Sequence, residues 1–511
     1  MAEKIRIKRD YSVKCSTGNP SRRRFLRRIS TTAALLGLTQ IAKSRAANTG
    51  GGSSNRADAY NQSLRPQFHF TSQTGWINDP NGLVYVNGIY HMFFQHNPFG
   101  NVWGNMTWGH AISRDLVNWR QLPDAIKPDF LGTIFSGSAA IDVHNTSGFG
   151  THGRPPVVAM YTAAGGTSKA SKGRPFTQCL AYSNDGGFTF TKYQHNPVIG
   201  QIVPGNRDPK IIWFEPTRRW IMPLFLDAAH GFDLFSSPDL KHWTKIQNII
   251  FPQAQECPNF FPLPVWGKPN SHRWIFTGAD SQYLIGRFDG HHFTVESGPF
   301  AMDNGLNFYA AQVYSDIPAR QARTVQIGWM RGGRYPGMPF NQQMSFPCEL
   351  QLRLLSGGLR VCRQPVQEIQ QLWRNAHHFE NITLANQHRY FPQVTGNQLD
   401  IEVEIKPGSA RVAGIKVNGQ NIEVNLATRK ITALGASAKM TDFPRAGGPL
   451  RLRILVDRTS VEVFAPENAV SLSSCCLPPA GQASFACYTH GGKATFASLI
   501  VRQVASAWKG A

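Results

Sequence analysis

The chain has 511 residues, more than one ordinary domain requires, and a formal net charge of +22 at pH 7. Seven of its eight cysteines lie beyond residue 47, in an odd number and without paired C-x-x-C spacing, so we expect neither a disulfide framework nor a zinc site. The basic excess is partly concentrated at the N-terminus and otherwise forms no clustered arm, so nucleic-acid binding is not expected.

Residues 1–47 have the features of an export signal. They contain twelve basic and two acidic residues, which accounts for +10 of the net charge. Three consecutive arginines, Arg22 to Arg24, precede a modestly apolar run at 29–41 and the small-residue sequence Ser44-Arg45-Ala46. This order indicates a twin-arginine type signal peptide, whereas a basic nucleic-acid-binding arm would not explain the apolar run.

The apolar run is too short and too polar to span a bilayer, so no stable membrane insertion is expected. Residues 48–62 are rich in Gly, Ser and Asn, which predicts a flexible tether. We therefore expect an exported protein, located in the periplasm or outside the cell.

From residue 63 to residue 355 the sequence predicts many short β-strands separated by Gly, Pro, Asn and Asp. The turn Ser113 to Trp119 recurs as Ser237 to Trp243, and looser copies start at Ser183 and Arg287. Their aromatic ends fall about 50 to 70 residues apart, a period that suits four-stranded propeller blades with long loops. We predict a five-bladed β-propeller catalytic domain; chance similarity among turns is the alternative.

The last third of the chain has a different pattern. Residues 356–375 are predicted to be a linker with a short helix, on which Val366, Ile369 and Trp373 share one side. Residues 376–508 contain strictly alternating segments such as 399–405, which indicate half-buried antiparallel strands and hence a β-sandwich. No acid, base or nucleophile cluster is evident there, so we expect a structural role with some carbohydrate contact.

One acidic residue of the predicted propeller stands out in the segment Trp76-Ile77-Asn78-Asp79-Pro80-Asn81-Gly82. The sequence Asp-Pro-Asn-Gly favours a type I turn in almost any context, and that structural interpretation needs no function. Apolar residues on both sides nevertheless place Asp79 where a strand meets the turn. A carboxylate can be fixed there at the mouth of a sheet.

Two further acidic residues have unusual neighbours. Asp208 lies between Arg207 and Pro209, so charge pairing would keep it ionised, although a structural ion pair is the simpler interpretation. Glu256 precedes Cys257, a proline and two phenylalanines. Such an apolar setting suits a group that must arrive protonated and donate its proton.

Three acids in three different environments have the chemistry that glycoside cleavage requires. One carboxylate attacks or stabilises the reacting carbon, and another group protonates the leaving oxygen. Nearby side chains could hold a sugar, and because buried aromatics more often belong to a core, we expect at most half of them to contact a ligand. They are Gln95, Asn97, Trp103, Trp108, His110, Phe135, Ser136, Tyr309 and Trp329.

The order and spacing of these motifs resemble glycoside hydrolase family 32, the β-fructofuranosidases, inulinases and levanases. The resemblance covers residues 65–501 and includes further blocks: Gln95 to Pro98, Trp103 to His110, Phe135 to Ser138 and Asp457 to Phe464. It implies a five-bladed propeller followed by a β-sandwich, an active site in the propeller's funnel, and neither metal nor cofactor.

By this resemblance Asp79 is the nucleophile, Glu256 the general acid and base, and Asp208 the stabiliser of the transition state. Retention would place the nucleophile and the acid about 5 to 5.5 Å apart. The remaining predicted site residues, which would bind substrate, are Asn78, Gln95, Trp103, Phe135, Ser136, Arg207, Cys257, Tyr309 and Trp329.

The chain departs from the family pattern in two places. Cys348 stands where the family usually has arginine, and the segment from Arg331 to Phe340 is rich in Gly and Pro. Both departures lie outside the catalytic motifs. The resemblance therefore gives no prediction for the outer subsites, where chain-length preference and the choice of acceptor are set.

The predicted function is hydrolysis of terminal β-D-fructofuranosyl residues of sucrose, levan or inulin through a covalent fructosyl-enzyme, with the fructoside as the expected partner. A fructosyltransferase with the same site is one alternative. A carbohydrate-binding propeller without turnover and a propeller enzyme acting on arabinan are two others. The three acids disfavour the former, and the segment Asn78 to Gly82 disfavours the latter.

Overall fold

The structure is a computed structural model that describes residues 58–441, 448–478 and 484–509. The predicted signal peptide and most of the predicted tether lie outside these residues. The described helices are short 3-10 segments: Asp58–Tyr60, Glu215–Thr217, Ala319–Gln321, Gln367–Leu372, Pro466–Asn468 and Ala507–Lys509. None of them has the length and apolar character that crossing a membrane requires.

The first part of the chain forms successive antiparallel sets of strands. The first two sets are β1 Gly75–Val86, β2 Ile89–Asn97, β3 Thr107–Ser113 and β4 Arg120–Ile126, then β5 Thr133–Ile141, β6 Val157–Ala164, β7 Phe176–Ser183 and β8 Thr191–Lys192. The next two are β9 Ile212–Phe214, β10 Arg219–Asp227, β11 Gly231–Ser237 and β12 Thr244–Ile249, then β13 Asn259–Val265, β14 Lys268–Thr277, β15 Gln282–Phe288 and β16 Phe293–Ala301. The last strands of this part are β17 Tyr309–Val313, β18 Val325–Trp329, β19 Phe340–Asn341, β20 Cys348–Leu355 and β21 Gly358–Pro365.

The sequence repeat is a repeated turn between the third and fourth strands of a set. In the turn between β3 and β4, Asp115 accepts hydrogen bonds from the backbone N–H groups two and three residues later. Asp239 does the same in the turn between β11 and β12. Leu116 and Leu240 both have φ +65°. Trp119 and Trp243 each donate the indole N–H to the carbonyl of that leucine, at 3.0 and 2.7 Å. The looser copies join β7 to β8 and β15 to β16.

These sets surround a common centre. Strand β1 contacts both β5 and β17, and β17 contacts β13. The short strand β19 pairs in parallel with β1, so the last part of this domain returns to the first sheet. The fold is a β-propeller, which confirms the all-β prediction; the count of five blades stays a prediction, because β13 and β20 share a parallel pair that joins two sets in one eight-stranded sheet.

The second part of the chain is a sandwich of two six-stranded sheets, also as predicted. Its strands are β22 Trp373–Ala385, β23 His388–Tyr390, β24 Leu399–Lys406, β25 Val412–Val417, β26 Gln420–Asn425, β27 Lys430–Ala433, β28 Ala436–Lys439, β29 Leu450–Asp457, β30 Ser460–Ala465, β31 Val470–Cys475, β32 Phe485–His490 and β33 Lys493–Val504. Alternate side chains of both sheets, such as Ile401, Ile415 and Phe496, form one buried apolar core. The alternating sequence pattern therefore marks the inward faces of these strands.

The boundary between the two parts differs from the expected one. Strands β20 and β21 form a regular hairpin, so Gly358–Pro365 belongs to the propeller sheet and not to a linker after residue 355. The turn at Ser356-Gly357 is a hairpin turn, although in the sequence it resembles the end of a domain. The short helix after it is the 3-10 helix Gln367–Leu372, and Ile369 in it is fully buried.

A buried polar contact ties the beginning of the propeller chain to the sandwich. His69 Nδ1 lies 2.9 Å from Asp457 Oδ2, and its Nε2 lies 2.8 Å from Glu462 Oε2. Burial alone would lower the pKa of His69, but hydrogen bonds to the two carboxylates raise it to about 9. His69 is therefore a cation held between two anions inside the protein.

Candidate active site

A cavity of about 190 Å³ opens where the first strands of the propeller sets meet. All but one of the predicted site residues line it, together with one residue that was not predicted. The lining residues are Asn78, Asp79, Gln95, Trp103, Phe135, Ser136, Arg207, Asp208, Glu256, Tyr309, Trp329 and Arg331. The structure thus brings together side chains that are far apart in the sequence.

Asp79 lies within a strand and not beside a turn. The segment predicted as a type I turn is part of β1, which pairs with β2 through two irregular steps on either side of Pro80 and Asn81. Gly82 has φ +52°, and a Cβ there would lie 2.8 Å from the ring of Phe93. Packing against β2 thus replaces the turn that the local sequence favours, and the irregular pairing directs Asp79 into the cavity.

Three donors hold the carboxylate of Asp79. Ser136 Oγ donates to Oδ2 at 2.6 Å, and the Cys257 thiol lies 3.4 Å from the same oxygen. Asn78 Nδ2 donates to Oδ1 at 3.1 Å. Burial raises the pKa of Asp79 and the nearby charge of Glu256 adds to this, while the hydrogen bonds from Ser136 and Asn78 counteract it. The carboxylate is therefore fixed in orientation and poorly solvated.

Asp208 is buried on the cavity wall with strained backbone, at φ +66°. Its N–H donates to Thr162 Oγ1 at 2.9 Å, and Oδ2 accepts the N–H of Cys257 at 3.1 Å. Arg207 Nε lies 3.7 Å from Oδ2. Burial raises the pKa of Asp208 to about 7, against the opposing effect of Arg207. The expected ion pair with Arg207 is present, but burial has the larger effect on the pKa of Asp208.

Glu256 has a more polar environment than its sequence neighbours suggest. Its side chain is 31% exposed, and Arg207 Nε donates to Oε2 at 3.2 Å. Tyr309 OH donates to Oε1 at 2.7 Å. The two phenylalanines that follow in the sequence, Phe260 and Phe261, lie in the protein core and not around the carboxyl group.

Cys257 does not line the cavity, contrary to its assignment as a substrate-binding residue. It is 2% exposed and lies behind the two aspartates, with its sulfur 3.4 Å from Oδ2 of each. Burial raises the pKa of Cys257 well above its usual range, and the charges of Asp208 and Asp79 raise it further. The thiol is therefore protonated and can donate to one carboxylate at a time.

The aromatic side chains divide into cavity walls and core. Trp103 is 54% exposed at the rim and lies edge-on to Phe135, with ring centroids 5.8 Å apart. Of the nine candidate sugar contacts, six line the cavity. Trp108 and His110 are fully buried core residues. Asn97 is also buried and donates to the backbone of Val102.

Sequence reasoning missed Arg331. Its guanidinium carbon lies 4.5 Å from the centre of the Tyr309 ring, at the exposed side of the cavity. The only sequence signal was its position directly after Trp329-Met330, at the start of the Gly- and Pro-rich segment. Cys348, the other departure from the family pattern, is buried against Phe346 and Arg363 and does not line the cavity.

These groups can perform acid, base and nucleophilic chemistry on one small substrate. Asp79 is oriented and poorly solvated, as a nucleophile should be. Glu256 is accessible from the cavity and has two hydrogen-bond partners, so it can exchange a proton with a bound group. Asp208 places a third carboxylate beside the same space. Such a set is typical of glycosidases.

Comparison with known proteins agrees with this chemistry. The family model described as "Glycosyl hydrolases family 32 N-terminal domain" matches residues 69–365, and "Glycosyl hydrolases family 32 C terminal" matches residues 368–503. A levanase of Bacillus subtilis is 37% identical, over 88% of this chain and 72% of the levanase. An extracellular exo-inulinase of Aspergillus niger is 31% identical, over 88% of this chain and 96% of its own.

Solved structures give the same result. The exo-inulinase of Aspergillus awamori has a TM-score of 0.79 and 29% identity, covering 88% of this chain and 100% of that one. The β-fructofuranosidase of Schwanniomyces occidentalis, complexed with fructosyl-erythritol, has a TM-score of 0.77 and 25% identity, covering 86% of this chain and 98% of that one. With both family models covering nearly all of the described residues, the chain belongs to glycosyl hydrolase family 32.

Proposed function

We propose that the protein is an exported β-fructosidase that hydrolyses terminal β-D-fructofuranosyl residues of levan, inulin or sucrose with retention of configuration. The observation that carries this proposal is the meeting of Asp79, Asp208 and Glu256 at one cavity. The levanase and exo-inulinase relatives support the substrate class.

In the first step a carboxylate oxygen of Asp79 attacks C2 of the terminal fructosyl unit. The bond from C2 to the leaving oxygen breaks, its electron pair stays on that oxygen, and Glu256 supplies the proton. The hydrogen bonds from Ser136 and Asn78 hold Asp79 for this attack. The product is a fructosyl ester of Asp79 and a free leaving group.

In the second step Glu256, now a carboxylate, removes a proton from water while the water oxygen attacks C2 and displaces Asp79. Arg207 and Tyr309 donate to the two oxygens of Glu256 and hold the carboxylate in position for this step. A sugar hydroxyl in place of water would give transfer by the same route. This two-step mechanism requires Asp79 and Glu256 to be about 5 to 5.5 Å apart.

Asp208 would stabilise the positive charge that develops on the fructosyl ring and bind its hydroxyls. Its backbone N–H is fixed by Thr162 Oγ1 and its carboxylate accepts the N–H of Cys257, and the two contacts keep the carboxylate in place. Arg207 lies between Asp208 and Glu256, so it couples the two acids electrostatically.

The proposal is tested by incubating the purified protein separately with sucrose, inulin and levan and identifying the products by chromatography. We expect free fructose as the main product from at least one of them. Longer oligosaccharides as the main product would indicate a fructosyltransferase, and no product would indicate a propeller that binds sugars without turnover.

Two variants make this experiment specific for the site. Asp79→Ala and Glu256→Gln should each lower fructose release by several orders of magnitude. Their circular dichroism spectra and unfolding curves should stay close to those of the wild type. Near-normal turnover in either folded variant would exclude the proposed roles.

Export by the twin-arginine route is part of the proposal and rests on residues 22–46 of the sequence. Replacing Arg22, Arg23 and Arg24 with lysine should leave the enzyme in the cytoplasm, where its activity can be measured after cell fractionation. Unchanged export of this variant would exclude the twin-arginine route without affecting the assignment of the active site.

A further inference from the structure

Arg331 is a cation at the cavity that the mechanism above does not use. In the part of the chain that the structure describes, its guanidinium has no hydrogen bond and no carboxylate within ion-pair distance. Its backbone carbonyl accepts the amide N–H of Asn307 at 2.6 Å, which fixes the main chain and leaves the side chain free. The carboxylate of Asp280 lies in the same region. Burial and the charge of Glu256 raise the pKa of Asp280, and the positive charge of Arg331 partly counteracts this rise.

Two aromatic rings hold the guanidinium in place. Its carbon lies 4.5 Å from the ring centre of Tyr309 and 6.0 Å from that of Trp329. A guanidinium stacked on a ring keeps its N–H groups directed outward from the ring edge, where they can donate to another molecule. The contact therefore positions Arg331 without consuming its donors.

The second arginine at the cavity provides a contrast. Arg207 donates to Glu256 Oε2 and to the carbonyl of Gly205, and it lies beside Asp208. Two of its five N–H groups are used within the protein, and its charge is shared with two carboxylates. Arg331, by contrast, donates none of its N–H groups to the described residues, so all of them are available to a ligand.

The burial of the residues that line the cavity indicates which end of it holds the leaving group. Asp208 and Asn78 are buried at the closed end, whereas Glu256 is 31% exposed and Arg331 is exposed. A terminal fructosyl unit at the closed end, beside Asp79, puts the bond to be cleaved next to Glu256. The leaving sugar then extends toward the exposed side, where Arg331 lies on Tyr309.

We propose that Arg331 determines specificity for the leaving group by donating hydrogen bonds to hydroxyls of the sugar attached to the fructosyl unit. This inference rests on the proposed function. A guanidinium has five N–H donors and no acceptor, so it favours a leaving group rich in hydroxyl oxygens over a simple alcohol. The same contact serves an acceptor sugar in the reverse direction.

The experiment compares three substrates that carry the same fructosyl unit and differ in the leaving group: sucrose, an inulin-type trisaccharide and methyl β-D-fructofuranoside. Arg331→Ala should lower kcat/KM about tenfold or more for the two sugar leaving groups, the value expected for loss of a charge-assisted hydrogen bond. Hydrolysis of the methyl fructoside should be unchanged, because the methyl leaving group has no hydroxyl beyond the glycosidic oxygen to which Arg331 could donate. Arg331→Lys should recover part of the loss.

Arg334→Ala is the matched control, since Arg334 is exposed in the same segment but does not line the cavity. It should behave as the wild type on all three substrates. An equal loss on all three substrates in Arg331→Ala would show an effect through Tyr309 or the fold and would overturn the proposal, as would no loss at all. Wild-type protein that cleaves none of the substrates would instead contradict the proposed function, and this inference with it.

Discussion

The sulfur of Cys257 lies 3.4 Å from Oδ2 of Asp79, and it lies at the same distance from Oδ2 of Asp208. Two carboxylates that are both poorly solvated repel each other when both are ionised. A protonated thiol between them donates to one at a time and keeps them apart. Cys257 is thus a structural support for the two acids and not part of the substrate surface.

Replacing Cys257 with alanine should lower kcat by up to about tenfold, because the pair of aspartates loses the thiol proton that they share. Serine at this position keeps a donor and should retain more activity than alanine. The measurement is kcat and KM of both variants on the best substrate. Equal loss in the two variants would show that sulfur packing, and not hydrogen bonding, matters at this position.

Tyr309→Phe should lower kcat by about tenfold, since Glu256 loses one hydrogen bond to a charged oxygen while the ring that supports Arg331 remains. The preference among leaving groups should not change. Steady-state kinetics on sucrose and methyl β-D-fructofuranoside checks both statements. A changed ratio between these substrates would mean that the hydroxyl group, and not the ring, controls Arg331.

Asp208→Asn should lower kcat roughly 10²- to 10³-fold, the range seen when one electrostatic stabiliser of a transition state is removed. The substitution keeps the size of the side chain and its contact with Cys257 N. Asp289→Asn is a suitable control, because Asp289 is exposed and does not line the cavity. Comparable damage in the two variants would contradict a specific role for Asp208.

The contact of His69 with Asp457 and Glu462 should make stability depend on pH. The pKa of His69 is raised to about 9 in the folded protein, above its usual value of about 6.5. Protonated His69 therefore stabilises the fold fully below about pH 6.5, and this stabilisation, about 3 kcal/mol, is lost as the pH rises through 9.

The free energy of unfolding of wild type and His69→Gln, measured in urea at several pH values, tests this. The difference between the two proteins should be largest near pH 6 and should shrink above pH 9. His230→Gln removes an exposed histidine paired with Asp227 and should have no such effect. A difference that is constant from pH 6 to pH 10 would contradict the charged state of His69.

Much of the fold could be predicted because the local sequence pattern favours the same structure that tertiary packing produces. The alternating segments of the sandwich and the repeated turns ending at Trp119 and Trp243 both depend on residues close in the sequence. The sequence could not show that β20 and β21 form a hairpin, because a Gly-rich turn can either connect two paired strands or begin a linker between domains. The irregular course of β1 was also missed, because packing of Gly82 against Phe93 overrides the turn preference of Asp-Pro-Asn-Gly.

The candidate site was predictable to the extent that its residues lie in recognisable motifs. Asp79, Asp208 and Glu256 were found that way, and the structure adds their partners. The environment of Glu256 was not predictable, because Tyr309 comes from a strand more distant in the sequence and brings a polar group to the carboxyl. Arg331 was missed for a similar reason, because its contact with the ring of Tyr309 arises from the tertiary structure.

The central claim is that Asp79 is the nucleophile that carries the fructosyl unit. The most direct measurement is acid quenching of the enzyme during turnover of its best substrate, followed by proteolysis and mass spectrometry of the peptides. We expect a peptide that contains Asp79 with one added fructosyl unit, and no such adduct in Asp79→Ala. A fructosyl adduct on a different residue, or rapid turnover with no adduct in the presteady state, would contradict the account.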